Sequence, residues 1–373
     1  MKTLTMKSTR RRVLFLMPSL VGGGAERVIV TLLRHLDRSR FELHLALVEA
    51  VGPYLKEVPA DVLVHDLKAH RVRYAFPAMI RLVRKLRPQV VHSAMLELNI
   101  ACILCRPFLP PTTRVVIRED ISTSAQNLQL GRNPRVWSFL YRLYGKADKV
   151  ICVADYVLND LAENYGVPRS KMVRIYNPVD VSETRTLADA IENPYSGNGP
   201  HLVAAGRLSN QKGFDILLEA MALVRSSLPN SQLTILGEGD LRSELLAQRE
   251  RLSLNEAVHF PGFQSNPFPY LKHADLFVLP SRFEGLPLVV LEAMAVGTPV
   301  VASDCPGGLR EILASCPMAW LVPPCDPKAL AETIVSVCNS NVKNSQAGGS
   351  VDAFLNRFEV KSVVRAYEDL LQA

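Results

Sequence analysis

The sequence predicts an α/β protein made of two Rossmann-like domains, each built on a doubly wound parallel sheet. Apolar runs of strand length alternate with segments of helical period along most of the chain, which is typical of a parallel sheet with helices on both faces. The runs are almost continuously apolar, as strands covered on both faces are. The length of 373 residues allows two domains of ordinary size.

The second half shows this alternation most clearly. Segments of helical period, FDILLEAMALVRSSL and DLRSELLAQRERL, separate some of its apolar runs. The predicted strands are HLVAAG (201–206), QLTILG (232–237), AVHFPG (257–262), DLFVLP (275–280), TPVVAS (298–303) and MAWLVP (318–323).

The first half repeats the pattern less regularly. Its segment AFPAMIRLVRKLRP predicts an amphipathic helix, because Met79, Val83 and Leu86 recur on one face together with Phe76 and Ile80. The strand candidates are VLFLMPS, ELHLALV, VLVHDL, QVVHSA, RVVIRE, KVICVA and MVRIYN.

A polar stretch with three prolines, residues 177–200, separates the two halves. It predicts a first domain over 1–180, a linker over 181–199 and a second domain over 200–357. The remaining residues, 358–373, are predicted to form a terminal helix.

Composition indicates a soluble globular protein with a cytoplasmic setting. Hydrophobic residues make up 48% and charged residues 21%, and no run of 18 apolar residues occurs. Seven scattered cysteines argue against a disulfide framework. Cys102 and Cys105 have C-x-x-C spacing, but no second pair supports a metal site, so we expect buried thiols.

The net charge of +7 is unevenly distributed. Residues 1–180 carry 28 Lys/Arg and 15 Asp/Glu (+13), whereas residues 181–373 carry 15 and 21 (−6). The first half is therefore expected to favour an anionic partner, although a solvated basic face explains the charge equally well. Nucleic acid is not the expected partner, because the basic residues are not interleaved with aromatic residues as they are in known nucleic-acid-binding modules.

Several unusual loops follow strands, where ligands bind in open parallel sheets. Gly22, Gly23 and Gly24 open a helix and predict either phosphate contact or a tight turn. Arg27 occupies the position where a dinucleotide fingerprint needs glycine, so a dehydrogenase is excluded. Arg207 and Lys212 flank the loop after strand 201–206 and suit a diphosphate. Gly237 follows the next strand and predicts a turn that a planar group can approach.

Two carboxylates eight residues apart follow the strand DLFVLP. Glu284 lies in the loop, and Gly285 and Leu286 precede a helix start where backbone N–H groups suit phosphate oxygens. Glu292 lies inside the apolar helix VVLEAMAV, which is an unusual place for a solvated residue. A carboxylate accepts hydrogen bonds from adjacent hydroxyls, so the pair predicts an extended nucleotide-sugar ligand.

These motifs together resemble family 4 of the retaining glycosyltransferases. GGAER, GRLSNQKGFD, LGEG, FPGF and SRFEGLPLVVLEAMAVGTPVVASD occur in the family's order across residues 22–304. The resemblance implies the GT-B fold, two facing Rossmann-like doubly wound parallel-sheet domains with an interdomain cleft. It also implies that the second domain binds a nucleotide-sugar donor and that the terminal helix crosses back to the first domain.

The resemblance assigns roles to individual residues. Arg207 and Lys212 are implied to neutralise the donor diphosphate, and Glu284 to contact the transferred sugar. Further binding roles are implied for Gly285 and Leu286 (backbone amides), Glu292 (ribose hydroxyls), and Gly23 and Gly24 (distal phosphate). No D-x-D triplet occurs, so no metal or other cofactor is expected.

One departure from the family concerns the end of the strand RVVIRE. Members often carry a histidine there, whereas this chain has Arg118, Glu119 and Asp120. Either carboxylate is a candidate for contact with the sugar or the acceptor, and Glu119 is counted among the candidate substrate-binding residues. His92, which ends another strand, is interpreted as a packed histidine.

The resemblance and the residues predict a retaining, metal-independent transferase of a hexose or N-acetylhexosamine. The expected donor is a UDP-sugar, and the expected acceptor is a glycan, in particular a lipid-linked intermediate of cell-surface polysaccharide synthesis. A basic first domain predicts peripheral contact with the inner face of the cytoplasmic membrane. A catalytically silent sugar-nucleotide-binding protein and a nucleotide-sugar epimerase on a similar fold are the alternatives.

Overall fold

The computed structural model describes residues 10–340 and 348–373. The chain forms two compact units, one comprising residues up to Pro178 together with Val360–Ala373 and the other Val179–Glu359. Each unit is an α/β structure built on its own parallel sheet, as the sequence predicts.

The described part of the first unit contains a seven-stranded sheet with the strand order β3-β2-β1-β4-β5-β6-β7. Every paired strand runs parallel to its neighbour. The strands are β1 (Arg11–Met17), β2 (Phe41–Leu47), β3 (Leu63–Asp66), β4 (Val90–Ala94), β5 (Arg114–Glu119), β6 (Lys149–Cys152) and β7 (Met172–Arg174).

Helices connect these strands, as parallel pairing requires. The predicted amphipathic helix is present and buries Met79 and Val83. Cys102 and Cys105 lie buried and unpaired in the third helix, and burial raises their thiol pKa values to about 12 and about 11. The helices are α1 (Gly24–His35), α2 (Val72–Leu86), α3 (Leu96–Cys105), α4 (Thr123–Gln129), α5 (Pro134–Arg142) and α6 (Asp155–Tyr165).

The second unit contains a six-stranded sheet in its described residues, with the order β10-β9-β8-β11-β12-β13. Its strands are again parallel. They are β8 (His201–Ala205), β9 (Gln232–Leu236), β10 (Val258–Gly262), β11 (Leu276–Leu279), β12 (Val300–Ser303) and β13 (Ala319–Val322).

The helices of the second unit pack against this sheet around a core that includes Phe214, Leu217 and Ile334. They are α7 (Val181–Ala188), α8 (Phe214–Ser227), α9 (Arg242–Arg251), α10 (Phe268–His273), α11 (Leu288–Ala295), α12 (Leu309–Leu313), α13 (Pro327–Asn339) and α14 (Gly348–Leu355).

Helix α7 occupies the first part of residues 181–199, the stretch that the sequence analysis predicts as a linker. The Asp180 side chain caps this helix by accepting a 2.8 Å hydrogen bond from the Glu183 backbone N–H. Arg185 secures it further, with a bond to the Ala295 carbonyl and an ion pair with Asp352. The stretch is therefore part of the second unit.

The chain ends with helix α15 (Val360–Gln372), which belongs to the first unit. Its Val363, Tyr367 and Leu371 are buried. Arg40 forms a 2.7 Å ion pair with Glu368, and Arg11 donates a 2.8 Å hydrogen bond to the Leu371 carbonyl. These contacts attach the helix to the strands and loops at the start of the chain.

In both sheets the strand order reverses at one place, between β1 and β4 in the first unit and between β8 and β11 in the second. Ligands of doubly wound sheets bind outside the carboxyl ends of the strands at such a switch point. None of the described helices is long and apolar enough to cross a membrane.

Candidate active site

Two loops leave the second sheet at its switch point. Strands β8 and β11 pair in parallel, so the loops that follow them emerge at the same edge. The loops are joined by two hydrogen bonds: the Arg282 N–H donates to the Gln211 carbonyl (2.8 Å), and Gln211 Nε2 donates to the Phe283 carbonyl (3.1 Å). The residues that the sequence singles out after β8 and β11 are thereby held together.

Lys212 and Glu284 form the central ion pair of these loops. Lys212 Nζ lies 2.5 Å from Glu284 Oε1, and Ser281 Oγ donates a 2.7 Å hydrogen bond to the same oxygen. The Glu284 side chain is only 6% exposed and that of Lys212 16%. A lysine ammonium has three N–H donors, so its bond to Glu284 leaves donor capacity for an anion.

Arg207, the other predicted cation, has a different setting. It follows β8 and is exposed. Its side chain makes no hydrogen bond or ion pair with any residue in the described ranges. The loop therefore carries one cation that is fixed by a carboxylate and one that is available to a ligand.

A second ion pair, between Arg282 and Asp215, was not anticipated from the sequence. Arg282 contacts both carboxylate oxygens of Asp215, at 2.8 and 2.6 Å, and donates a 2.9 Å bond to the Asn210 carbonyl. Burial opposes ionisation of Asp215, but the hydrogen bonds and charge of Arg282 outweigh it and lower the pKa of Asp215. Both residues lie within the motifs SRFEG and GRLSNQKGFD, and their pairing fixes the two motifs against each other.

Two glycines allow backbone segments to approach closely around the site. Gly237 has φ of 131°, and a Cβ there would lie 2.0 Å from the Gly206 carbonyl oxygen. Gly307 has φ of 140°, and a Cβ would lie 2.2 Å from the Glu284 carbonyl oxygen. The glycine predicted at 237 is thus required by contact between loops.

The loop after β12 supports Glu284 from the other side. The Glu284 N–H donates to the Pro306 carbonyl (2.9 Å), and the Gly308 N–H donates to the Gly285 carbonyl (2.7 Å). Cys305 of the same loop is buried, and burial raises the pKa of its thiol. No motif in the sequence indicated this neutral thiol near Glu284.

Glu292 lies on α11, as predicted, and is 5% exposed. Leu286 and Gly285 precede this helix and are also buried. The helix begins at Leu288 with Pro287 as its N-cap, so the proline lies just outside the first turn. A buried carboxylate on an otherwise apolar helix distinguishes Glu292 from a solvated helix residue.

The glycines of the first unit lie at the start of α1. Gly23 is the N-cap, and a Cβ there would lie 2.3 Å from Glu26 Oε2. Gly24 is the first helical residue, and a Cβ there would meet nothing within 4 Å. A Cβ at Gly23 would displace only the carboxylate of Glu26, and the space beside Gly24 is open. Phosphate contact by these glycines remains a prediction.

Glu119 lies in a buried polar network rather than on the surface. Tyr144 donates a 2.8 Å hydrogen bond to Glu119 Oε2, and Asn99 Nδ2 lies 3.2 Å from the Tyr144 hydroxyl. Burial raises the pKa of Glu119 to about 8. Glu119 is 3% exposed, and its contact with substrate remains a prediction.

The residues on either side of Glu119 form a separate buried cluster. Arg118 is fully buried, with NH2 lying 2.5 Å from both Asp120 Oδ1 and Asn177 Oδ1. Burial raises the pKa of Asp120, while Arg118 lowers it, and the net shift is upward. A buried arginine, hydrogen-bonded to Asn177 and ion-paired with Asp120, thus occupies the strand end where the family resemblance leads us to expect a histidine.

His92 is a packed histidine, as the sequence analysis interprets it. It is fully buried, with its ring 5.0 Å from Phe15 and 5.9 Å from Tyr367 between centroids. Burial, with the charge of Arg118 adding to it, lowers the pKa of His92 to about 3. The imidazole is therefore neutral at physiological pH.

Comparison with known proteins agrees with this arrangement. A family model described as Glycosyltransferase Family 4 matches residues 22–183, and one described as Glycosyl transferases group 1 matches residues 199–340. N-acetylgalactosamine-N,N'-diacetylbacillosaminyl-diphospho-undecaprenol 4-alpha-N-acetylgalactosaminyltransferase of Campylobacter jejuni is 31% identical over 319 residues, 82% of this chain and 84% of the relative.

Two further proteins are similar over most of their length. The amylovoran biosynthesis glycosyltransferase AmsD of Erwinia amylovora is 24% identical over 78% of this chain and 80% of its own. The structure of Anabaena HepE in complex with UDP-glucose has a TM-score of 0.79 at 20% identity, covering 97% of this chain and 99% of that one. The chain belongs to glycosyltransferase family 4, the group 1 glycosyltransferases, and its two parallel-sheet units are those of the GT-B fold.

Proposed function

We propose that this glycosyltransferase moves a hexose or N-acetylhexosamine from a UDP-sugar to a lipid-linked glycan, with retention of configuration and without a metal ion. The observation that carries the proposal is the buried Lys212–Glu284 pair beside exposed Arg207 at the switch point of the second sheet. Two cations and one carboxylate thus follow the two strands at the switch point of a parallel sheet, where such sheets bind ligands, and this supports a diphosphate and a sugar as the ligand.

The two cations stabilise the leaving group. As the bond between the anomeric carbon and the diphosphate oxygen breaks, its electron pair passes to the diphosphate. Arg207 and the remaining donors of Lys212 neutralise the developing charge, which is the most effective electrostatic device for such a step. They take the place that a divalent cation has in other transferases.

The carboxylates orient the donor. Glu284 accepts hydrogen bonds from hydroxyls of the transferred sugar, while its bond to Lys212 holds the sugar next to the diphosphate. Glu292 accepts from the ribose hydroxyls, and the amides of Gly285 and Leu286 contact phosphate oxygens. Each function uses a group that the structure holds in a buried or closely packed position.

Retention follows if the acceptor hydroxyl attacks from the side that the diphosphate leaves. The new bond joins the acceptor oxygen to the anomeric carbon, and the departing diphosphate oxygen takes the acceptor's proton. No protein carboxylate has to act as a covalent nucleophile, since Glu284 is engaged with Lys212 and Ser281.

Three similar proteins support the proposed acceptor and donor. The Campylobacter jejuni relative is named for transfer to a diphospho-undecaprenol-linked sugar, and the Erwinia amylovora relative for amylovoran biosynthesis. The Anabaena structure holds UDP-glucose. A lipid-linked acceptor places the enzyme at the inner face of the cytoplasmic membrane.

The first experiment is nucleoside-diphosphate release from UDP-, GDP- and ADP-sugars, with and without a bacterial membrane lipid extract. We expect release from a UDP-sugar that the extract stimulates. Tight UDP binding without release from any donor, with the extract present, favours a catalytically silent binding protein. The anomeric configuration of the product, determined by NMR, tests retention.

A further inference from the structure

The segment of the first unit that contains α4 and α5 exposes a group of large apolar side chains. Leu128 is 84% exposed, Phe139 65%, Leu130 56% and Val136 54%. They lie within twelve residues of one another along the chain, and Val136 and Phe139, three positions apart on α5, share one face of that helix. Clustered exposure of this kind marks an interaction surface.

All charged residues of the same segment are basic. Residues 121–147 contain Arg132, Arg135, Arg142 and Lys146 and no Asp or Glu. Arg132 stacks on Trp137, with its guanidinium carbon 3.9 Å from the ring centroid. Arg135 and Arg142 are exposed. Apolar and cationic side chains alternate over the segment, which is the composition of helices that lie in a membrane interface.

A groove between α2 and α3 borders this segment. It has a volume of about 500 Å³, with an apolar lining from Val72, Phe76, Ile100 and Ala101 and with Arg71 and Arg73 at its rim. Its one acidic lining residue, Glu97, lies 3.9 Å from Arg132 NH2. Of the seven Lys/Arg in residues 67–96, a stretch without Asp or Glu, Arg71 and Arg73 line the groove. The groove and the α4–α5 segment are together called the apolar-basic face.

We propose that the apolar-basic face docks onto an anionic lipid bilayer. Leu128, Val136 and Phe139 insert among the lipid chains, while the arginines stay at the level of the anionic headgroups. The groove accommodates a hydrocarbon chain between its apolar walls. The inference deepens the proposed function and rests on it, because a lipid-linked acceptor is presented at the surface of a bilayer.

Charge favours a bilayer over a second copy of this chain. In a symmetric dimer the same patch meets itself, so the cations of two basic faces would repel each other. An anionic membrane surface attracts every one of these cations. The face therefore suits lipid better than self-association.

The test uses the full chain with Trp320→Phe, which leaves Trp137 of this face as the only tryptophan. Vesicles of phosphatidylcholine alone are compared with vesicles of equal parts phosphatidylcholine and phosphatidylglycerol. We expect co-sedimentation and a blue shift of Trp137 emission with the anionic vesicles only, both weakened by salt. Equal binding to both vesicle types, or binding to neither, overturns the inference.

Matched variants localise the binding. Phe139→Asp and Leu128→Asp are each expected to lower the vesicle partition coefficient about tenfold or more. The control is Leu223→Asp, at a leucine of α8 in the second unit that is 47% exposed. This variant is expected to leave the vesicle partition coefficient unchanged. Arg135→Gln combined with Arg142→Gln is expected to weaken binding, whereas Arg251→Gln on α9 has no effect.

Two outcomes separate this inference from the proposed function. Vesicle binding is measured without a donor, so intact binding with no turnover of any donor overturns the proposed function alone. Donor turnover with a water-soluble acceptor is expected to be unchanged in Phe139→Asp. A dimer that Phe139→Asp dissociates, with no vesicle binding, assigns the face to a second copy and overturns the inference.

Discussion

At the residue scale, Glu284 depends on a neighbour for its burial. A carboxylate that is 6% exposed is stable only with a partner, and Lys212 Nζ at 2.5 Å and Ser281 Oγ at 2.7 Å are its partners. The sequence assigned Lys212 to the phosphate and Glu284 to the sugar separately. The structure shows that each group also holds the other in place.

This coupling leads to a prediction about stability and turnover. Lys212→Ala leaves a buried carboxylate without its cation and is expected to cost about 3–5 kcal/mol of unfolding free energy. It is also expected to reduce donor turnover about 100-fold or more. Urea unfolding and nucleoside-diphosphate release measure the two effects.

The control is the double variant Lys212→Ala/Glu284→Gln. It removes the uncompensated charge, so it is expected to be more stable than Lys212→Ala while remaining inactive. Equal stability of the two variants contradicts the buried-pair explanation, and near-normal turnover in Lys212→Ala or in Glu284→Ala contradicts the site assignment.

Glu119 gives a pH prediction. Its pKa is raised from 4.5 to about 8, chiefly by burial, so at neutral pH the folded protein keeps a proton that the unfolded chain loses. Stability is therefore expected to fall as pH rises from about 4.5 to about 8 and to level off above, with a slope of up to about 1.4 kcal/mol per pH unit.

Glu119→Gln tests this expectation, because the amide oxygen still accepts the Tyr144 hydrogen bond but does not ionise. Urea unfolding from pH 5 to 8 is expected to give a flatter profile for the variant than for the wild type. Identical slopes would show that Glu119 is ionised in the folded protein. Fluorescence of Trp137 in a Trp320→Phe background restricts the measurement to the first unit.

At the element scale, the loops after β8 and β11 work as one structure because Arg282 joins them. Its guanidinium contacts both oxygens of Asp215 and the carbonyl of Asn210. Lysine cannot reproduce this planar, two-pronged contact. Arg282 therefore positions Lys212 without being expected to touch the donor.

Arg282→Lys is accordingly expected to lower kcat/KM for the donor about tenfold. The matched control is Arg185→Lys, since Arg185 also pairs with a carboxylate, Asp352, and a carbonyl, that of Ala295. Both variants lose a similar contact in the same unit, but only the first is at the site. Equal effects of the two variants on kcat/KM would remove the positioning role from Arg282.

The elements also show where sequence patterns succeed. All thirteen predicted strands are present among the described residues. Most of them are covered on both faces and are therefore apolar throughout, whereas the edge strand β3 is largely exposed. The sequence pattern did not indicate α7, a short and largely polar helix within the predicted linker. Its stability comes from the Asp180 cap and from the Arg185 contacts, which no period in the sequence reveals.

At the scale of the whole molecule, the chain has two separate cores. Tyr367 of α15 is fully buried in the first unit, and Leu217 of α8 is fully buried in the second. Each unit contains one of the two tryptophans, Trp137 in the first and Trp320 in the second. The two units can therefore be followed independently.

Tyr367→Ala is expected to destabilise the first unit by about 3–5 kcal/mol, and Leu217→Ala the second by about 2–5 kcal/mol. Urea unfolding is followed by Trp137 in a Trp320→Phe background and by Trp320 in a Trp137→Phe background. Each substitution is expected to shift mainly the transition of its own unit. A common shift in both reporters for either variant would mean that the whole chain unfolds as one cooperative unit.

The sequence by itself determined the fold class and the strands, and it singled out Arg207, Lys212, Glu284 and Glu292 as candidate site residues that follow strands β8 and β11. The strands and the candidate residues follow from the periodicity of hydrophobic residues and from short motifs, and both are local properties of the chain. Only the tertiary structure decided that Lys212 pairs with Glu284, that Arg282 binds Asp215, and that Glu119 lies in a buried network. Those contacts join residues 25 to 72 positions apart in the chain, and strand order and packing alone bring such residues together.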